Sequence, residues 1–233
     1  DLQARYSNIR TYTGESVLDP SKTMVFSITP QGLHAMTISG TDGAQFIDPY
    51  SNSTDTYILY SKRDLPSLES DFVCEFEDDM NVDLGRDFDL DAARNANDGK
   101  LRTFRIAIAC AGEYSQFHLN NQGVNIAATD AVKKAAVLSA MNTSMTRING
   151  VFEKDLAVKM VIVNDNDRVI YLDAATDNIT DGNASTMINE VQTICDNEIG
   201  NDNYDIGHIF SIGGDGLAGL GVVCVDGSKA RGV

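Results

Sequence analysis

The residues of this chain that could do chemistry are few and widely spaced. Its four cysteines, Cys74, Cys110, Cys195 and Cys224, form no C-x-x-C pair, which excludes a zinc ribbon and a thioredoxin-like motif. The three histidines, His34, His118 and His208, are scattered and HExxH is absent, so no complete histidine-based zinc site is visible. Each of them reads first as a satisfied core group. Cys74 carries the sharpest chemistry. It lies in DFVCEFED, and its thiolate can ligate zinc; the alternatives are a small buried residue or half of a disulfide.

Two further segments resemble ligand loops without completing them. GDGLAG (residues 214–219) matches GxGxxG, but that motif needs a helix directly after it to hold a pyrophosphate, and strand-like LGVVCV follows. No GxxxxGK[ST] or GxSxG occurs, so phosphate-loop and serine-hydrolase chemistry lack support. DNITDGNASTMINE (residues 177–190) has the acids of a calcium loop, yet Ile179 and Ile188 stand where an EF-hand requires oxygens. It reads as a polar turn capping a helix, while calcium remains a cofactor that the acidic composition allows.

Elements that position these residues follow from local pattern. Residues 23–30, 33–40, 44–50 and 56–62 carry β-branched and aromatic side chains between turn signals, which predicts a small antiparallel β unit. Residues 75–100 are strongly acidic without an apolar period and predict an exposed linker, with Arg86, Arg94 and Lys100 as sites for a protease. Beyond it, residues 104–112 form an apolar run suited to a strand buried on both faces. Thr129 or Asp130 caps a helix whose stripe is Leu138, Met141, Met145, Ile148 and Phe152, with Gly150 ending or loosening its last turn. A strand over 156–164 follows. Asn183 then caps a helix with the stripe Met187, Ile188, Val191, Ile194 and Cys195, closing at Gly200. Strands over 206–212 and 217–225 complete the order. The fold class is α/β: a small β-rich unit (1–75), an acidic linker (76–100), and a mixed, mostly parallel sheet with flanking helices (101–233).

The formal charge of −16, from 18 Lys+Arg against 34 Asp+Glu, argues against nucleic acid and against anionic membrane surfaces. No apolar run approaches the ~20 residues a membrane span needs. The chain begins at Asp1 with no initiator Met or signal peptide, as a trimmed product would.

RIAIACAGEYSQFH (residues 105–118), RINGVFEKDLAVKMVIV (147–163), and YDIGHIFSIGGDGLAGLGVVC with DGSKARGV (204–233) together resemble the N-terminal subdomain of reprolysin-type metzincin metalloproteases, especially their secreted bacterial branch. The first ~75 residues, with RTYTGES, GLHAM and DPY, resemble that branch's prosegment. The resemblance implies a secreted or cell-surface zinc endopeptidase acting on proteins or peptides. It also implies that this sequence stops before HExxHxxGxxH and is inactive alone. Offered by a prosegment, the Cys74 thiolate would fill the open fourth position of a catalytic zinc and hold the enzyme shut until the segment is cut away. The resemblance further implies an antiparallel edge strand at Gly216, Leu217, Ala218 and Gly219, along which an extended substrate pairs antiparallel. Edge chemistry points the same way: unpaired N–H and C=O groups can accept a guest strand, and glycine and alanine keep the edge low. A non-catalytic extracellular peptide-binding module is the alternative.

Overall fold

A computed structural model of the 233-residue chain describes residues 2–51, 55–66, 98–213 and 216–233, and the backbone of 74–75. The acidic stretch assigned as a linker, with Arg86 and Arg94, lies outside the described residues except for 98–100.

A short helix, α1 (Leu2–Arg5), leads into a five-stranded antiparallel meander: β1 (Arg10–Glu15), β2 (Thr23–Thr29), β3 (Gly32–Ser39), β4 (Gly43–Pro49) and β5 (Tyr57–Ser61), in that spatial order. The register aligns Val25, Met36, Phe46 and Tyr60 in one row. Strand β1 escapes apolar pattern recognition because its Thr11 meets its neighbours by hydrogen bonds, to Asn142 Oδ1 (3.2 Å) and Thr146 Oγ1 (3.3 Å).

The second unit is built on β7 (Arg102–Cys110), which pairs in parallel with β8 (Val158–Ile162) on one side and β9 (Ile206–Phe210) on the other. Alternation along β7 feeds two cores. Ile106, Ile108 and Cys110 pack with Val137, Leu138, Met141 and Met145 of helix α3 (Asp130–Leu156). Ala107 and Ala109 pack with Met187, Val191 and Cys195 of helix α4 (Ala184–Glu198). The layers therefore run meander, α3, parallel sheet, α4. Helix α4 starts as expected, the Asn183 side chain accepting from the Thr186 N–H.

Two expectations need correction, and one helix has no counterpart among them. Helix α3 passes through Gly150 and ends at Leu156, where Ala157 turns left-handed (φ 51°). The glycine is not a terminus; it lets the meander come close. Residues 112–121, read as no element, form helix α2 (Gly112–Asn121), which buries Tyr114 and Leu119 behind a mostly polar sequence. The strand expected over 217–225 is only β10 (Gly216–Leu217) with a bridge at Ala218. Positive φ at Gly221 (65°), Cys224 (62°) and Gly227 (76°) curls residues 220–228 into turns.

Asp48 ties the meander to α3. It accepts from the Tyr60 hydroxyl (2.6 Å), from Arg147 Nη2, and pairs with His34 Nδ1 (2.7 Å). Burial pushes its carboxyl up, but the hydrogen bonds from His34 and Tyr60 and the Arg147 charge outweigh burial and bring it down to about 2. Its stabilising contribution is thus complete above the ordinary carboxylate range and lost as pH falls from near 4 through about 2. Asp48→Asn should flatten this part of the acid limb by on the order of 1 kcal/mol. Urea unfolding at pH 6 and pH 2.5 checks it; parallel wild-type and variant curves would refute it.

Candidate substrate-binding edge

The sheet extends past β9 through the C-terminal residues 229–233. Gly207 N–H donates to Lys229 C=O (2.8 Å) and Ile209 N–H to Gly232 C=O (2.9 Å), so this strip lies against β9. Small residues permit the approach: a Cβ at Gly207 would overlap Ala230, and one at Gly232 would overlap the His208 ring. Helix α4 fixes the strip's start, where Gln192 Oε1 accepts from Ala230 N–H (2.8 Å) while its amide donates to the Tyr204 hydroxyl (2.9 Å). Lys229, buried, reaches Asp226 (3.1 Å) and lies 4.9 Å over the Tyr204 ring.

Strand β10 runs antiparallel along the strip's other side. Leu217 and Val233 exchange both backbone bonds (3.3 and 2.9 Å), and Gly219 N–H donates to Arg231 C=O (2.9 Å). Because strand groups alternate, the N–H and C=O of Gly216 and Ala218 face away from the strip. Leu217 is buried, holding the strand down, and Ala218 is exposed. Gly219 is tight rather than open, since a Cβ there would sit 3.1 Å from Val222 Cγ1 and 3.2 Å from Arg231 Cβ.

The outer side of β10 carries β6 (Cys74–Glu75), paired in parallel with Cys74 opposite Gly216 and Glu75 opposite Leu217. Two sets of residues singled out in the sequence, about 140 positions apart, thus lie side by side. Leu217 is flanked by its own chain on both sides, and the outer neighbour is this two-residue segment.

Beside this edge a 410 Å³ cavity is lined by Tyr114, His118, His208, Phe210, Gly216 and Val233, among others. Loss of water pushes His208 down to about 4, and burial lowers His118 too, so both rings are neutral at neutral pH. Phe210 meets His208 edge-on at 5.4 Å, and Tyr114 lies 4.4 Å from His118. His34 is committed to Asp48.

Among the described residues, no group of three or more His, Cys, Asp or Glu side chains could hold a metal ion. The described residues therefore do not fit a zinc centre. Calcium is also without support. In the 177–190 loop Asp177 accepts from Gly112 and Ile179 N–H, and Glu190 from Thr180 N–H and hydroxyl, so these acids hold backbone and helix start together. The nucleotide reading fails for its missing helix, as β10 and turns follow residue 215.

Cys110 and Cys195 are buried free thiols, both pushed up by burial to about 12, whereas Cys224 is free and exposed. Iodoacetamide at pH 8 should label Cys224 in the native protein and reach Cys110 and Cys195 only after unfolding. Peptide mapping reads the order, and equal labelling of all three would contradict it.

A three-stranded parallel sheet with helices on both faces, preceded by an antiparallel meander, is the class of fold these elements define. Residues 138–233 match the family model described as metallo-peptidase family M12B, reprolysin-like. That stretch holds α3 from Leu138 onward, both later parallel strands, α4, β10 and the C-terminal strip. The match supports a reprolysin-like metallopeptidase and hence protease function. No curated protein matches the chain. Among the described residues, no helix is long and apolar enough to cross a membrane.

Proposed function

We propose that this chain is the prosegment and upper catalytic subdomain of a secreted, zinc-dependent endopeptidase. Residues 1–75 are the prosegment, 76–100 the linker that is cut, and 101–233 the catalytic portion. The observation that carries this reading is the pairing of β6 with β10 in a chain whose last 96 residues match a metallopeptidase family. Strand β10 offers the outward groups of Gly216 and Ala218 to an extended peptide, and Leu217 and Gly219 anchor it to the strip. Peptide capture by edge addition needs this geometry. The metal comes from none of the described residues, so the role assigned to this chain is alignment of the substrate.

Segment β6 runs parallel to β10, opposite to the antiparallel course expected of a substrate. It therefore covers the edge with reversed polarity, as a blocking segment that is not itself presented for cleavage. Cys74 is the thiol this segment would offer to the metal. Cys74→Ala should raise the latent activity of the full gene product, and unchanged latency would retire that role.

Reading the frame past Val233 and assaying its full product on casein tests the proposal. A histidine triad in HExxHxxGxxH and chelator-sensitive hydrolysis are expected. A frame that stops at Val233, or hydrolysis indifferent to chelators, rejects the protease and favours a peptide-binding module.

A further inference from the structure

We propose that the meander-facing side of α3 is a docking site for the N-terminal residues 2–64, which stay bound to it as a separate polypeptide after the chain is cut between 76 and 97. This rests on the reading of residues 1–75 as a prosegment only for its biological meaning; the interface itself is independent of that reading.

Helix α3 has two faces of different make. One puts Val137, Leu138, Met141 and Met145 into the main core. The other carries Ser139, Thr143, Thr146, Arg147 and Gly150. Glycine inside a helix is destabilising relative to alanine, and nothing in α3's own geometry asks for one. The meander does: a Cβ at Gly150 would sit 2.6 Å from Val25 Cγ2 and 3.0 Å from Met36 Cε. Gly150 is a socket for β2 and β3. One turn earlier, Arg147 reaches Asp48 and lies 5.2 Å over the Phe46 ring, so a single side chain of α3 binds both an acid and an aromatic of β4.

The hydroxyls of this face serve both states. Thr143 and Thr146 meet Ser27 and Thr11 (each 3.3 Å), yet each also donates back to the carbonyl four residues earlier, Ser139 (3.1 Å) and Asn142 (2.6 Å). Ser139 does likewise to Ala135 (2.8 Å). These hydroxyls keep a partner when the helix is bare, as a surface that separates from its partner requires.

A second grip lies away from the meander. Arg5 Nη2 donates to Asn164 C=O (2.6 Å) and Asp167 (2.9 Å), the Tyr6 hydroxyl donates to Asp167 (3.0 Å), and Leu2, Tyr6 and Ile9 pack on the main core. None of these contacts runs through residues 76–97. A cut there leaves Cys74–Glu75 tethered to a docked sheet and still beside β10. Scission and exposure of the edge are then separate events, and the second requires release of the docked sheet or a further cut between it and Cys74.

The test is to insert a sequence-specific protease site within 76–97, cut the folded protein and run the product by gel filtration at about 1 μM, a loading at which only partners tighter than micromolar stay together. The two pieces should co-elute. In Gly150→Leu, which fills the socket, and in Arg147→Met, which keeps bulk but not charge, the nicked pieces should separate or their Kd rise at least tenfold. Separation of the nicked wild-type protein, or undiminished association in Arg147→Met, overturns the proposal. Should Gly150→Leu not fold, Arg147→Met decides alone. The readout is association, so it is unaffected by whether the full product hydrolyses protein.

Discussion

Asn166→Leu should cost the fold about 2–6 kcal/mol, the largest loss expected from any one polar side chain here. Strand β8 ends at Ile162, and the chain does not rejoin the sheet until Ile170 bridges Cys110. Across this gap Ile108 would present an unpaired N–H and C=O within the main core. Asn166, fully buried, fills the place of the missing strand: its Oδ1 accepts from Ile108 N–H (2.7 Å) and its Nδ2 donates to Ile108 C=O (2.9 Å). Leucine preserves bulk and supplies neither bond, and each buried backbone group left alone costs roughly 1–3 kcal/mol. Asn166→Asp retains the acceptor but loses the donor and brings a carboxylate into an apolar core, so it should be no milder. Urea unfolding measures both. A loss below ~1 kcal/mol for Asn166→Leu would mean that water or a shifted strand replaces the amide.

That amide also marks where sequence reasoning stops. The apolar periods of β7, α3 and α4 lie in consecutive residues, so strands and helices that bury large side chains are legible from local pattern alone. Asn166 shows no pattern, because its function is set by a strand end about 60 residues away. Strand β1 and helix α2 are hidden for a related reason: threonines and polar helix residues meet their partners through hydrogen bonds that no period records. Gly150 resembles a helix stop because glycine is a common one, and only the meander's Val25 and Met36 give it another purpose. The candidate edge is legible in part. Gly216 to Gly219 can be named from local glycines and from resemblance, but their inner neighbour is the unremarkable strip 229–233. Their outer neighbour, Cys74–Glu75, comes from a distant part of the chain, and its register is not encoded near either segment.

Ala218→Pro should weaken peptide capture at β10 about tenfold or more, with the sheet intact. The effect depends on which way one N–H points. Leu217 and Gly219 donate inward to Val233 and Arg231, so the N–H between them faces the outer side. Proline removes that donor and sets its ring where a guest backbone would lie. It removes nothing the strip uses, so stability should change little, and Ala218→Val, which keeps the N–H, separates loss of the bond from added bulk. Leu217→Pro is the opposite control: it deletes an inward donor and should loosen the strip and lower stability. The measurement is kcat/KM of the activated full gene product on a short peptide, beside a thermal melt of each variant. If Ala218→Pro and Ala218→Val lose equal activity, bulk alone is responsible. If Ala218→Pro loses none, the outward N–H is not what holds the peptide, and the edge of β10 is not the binding surface.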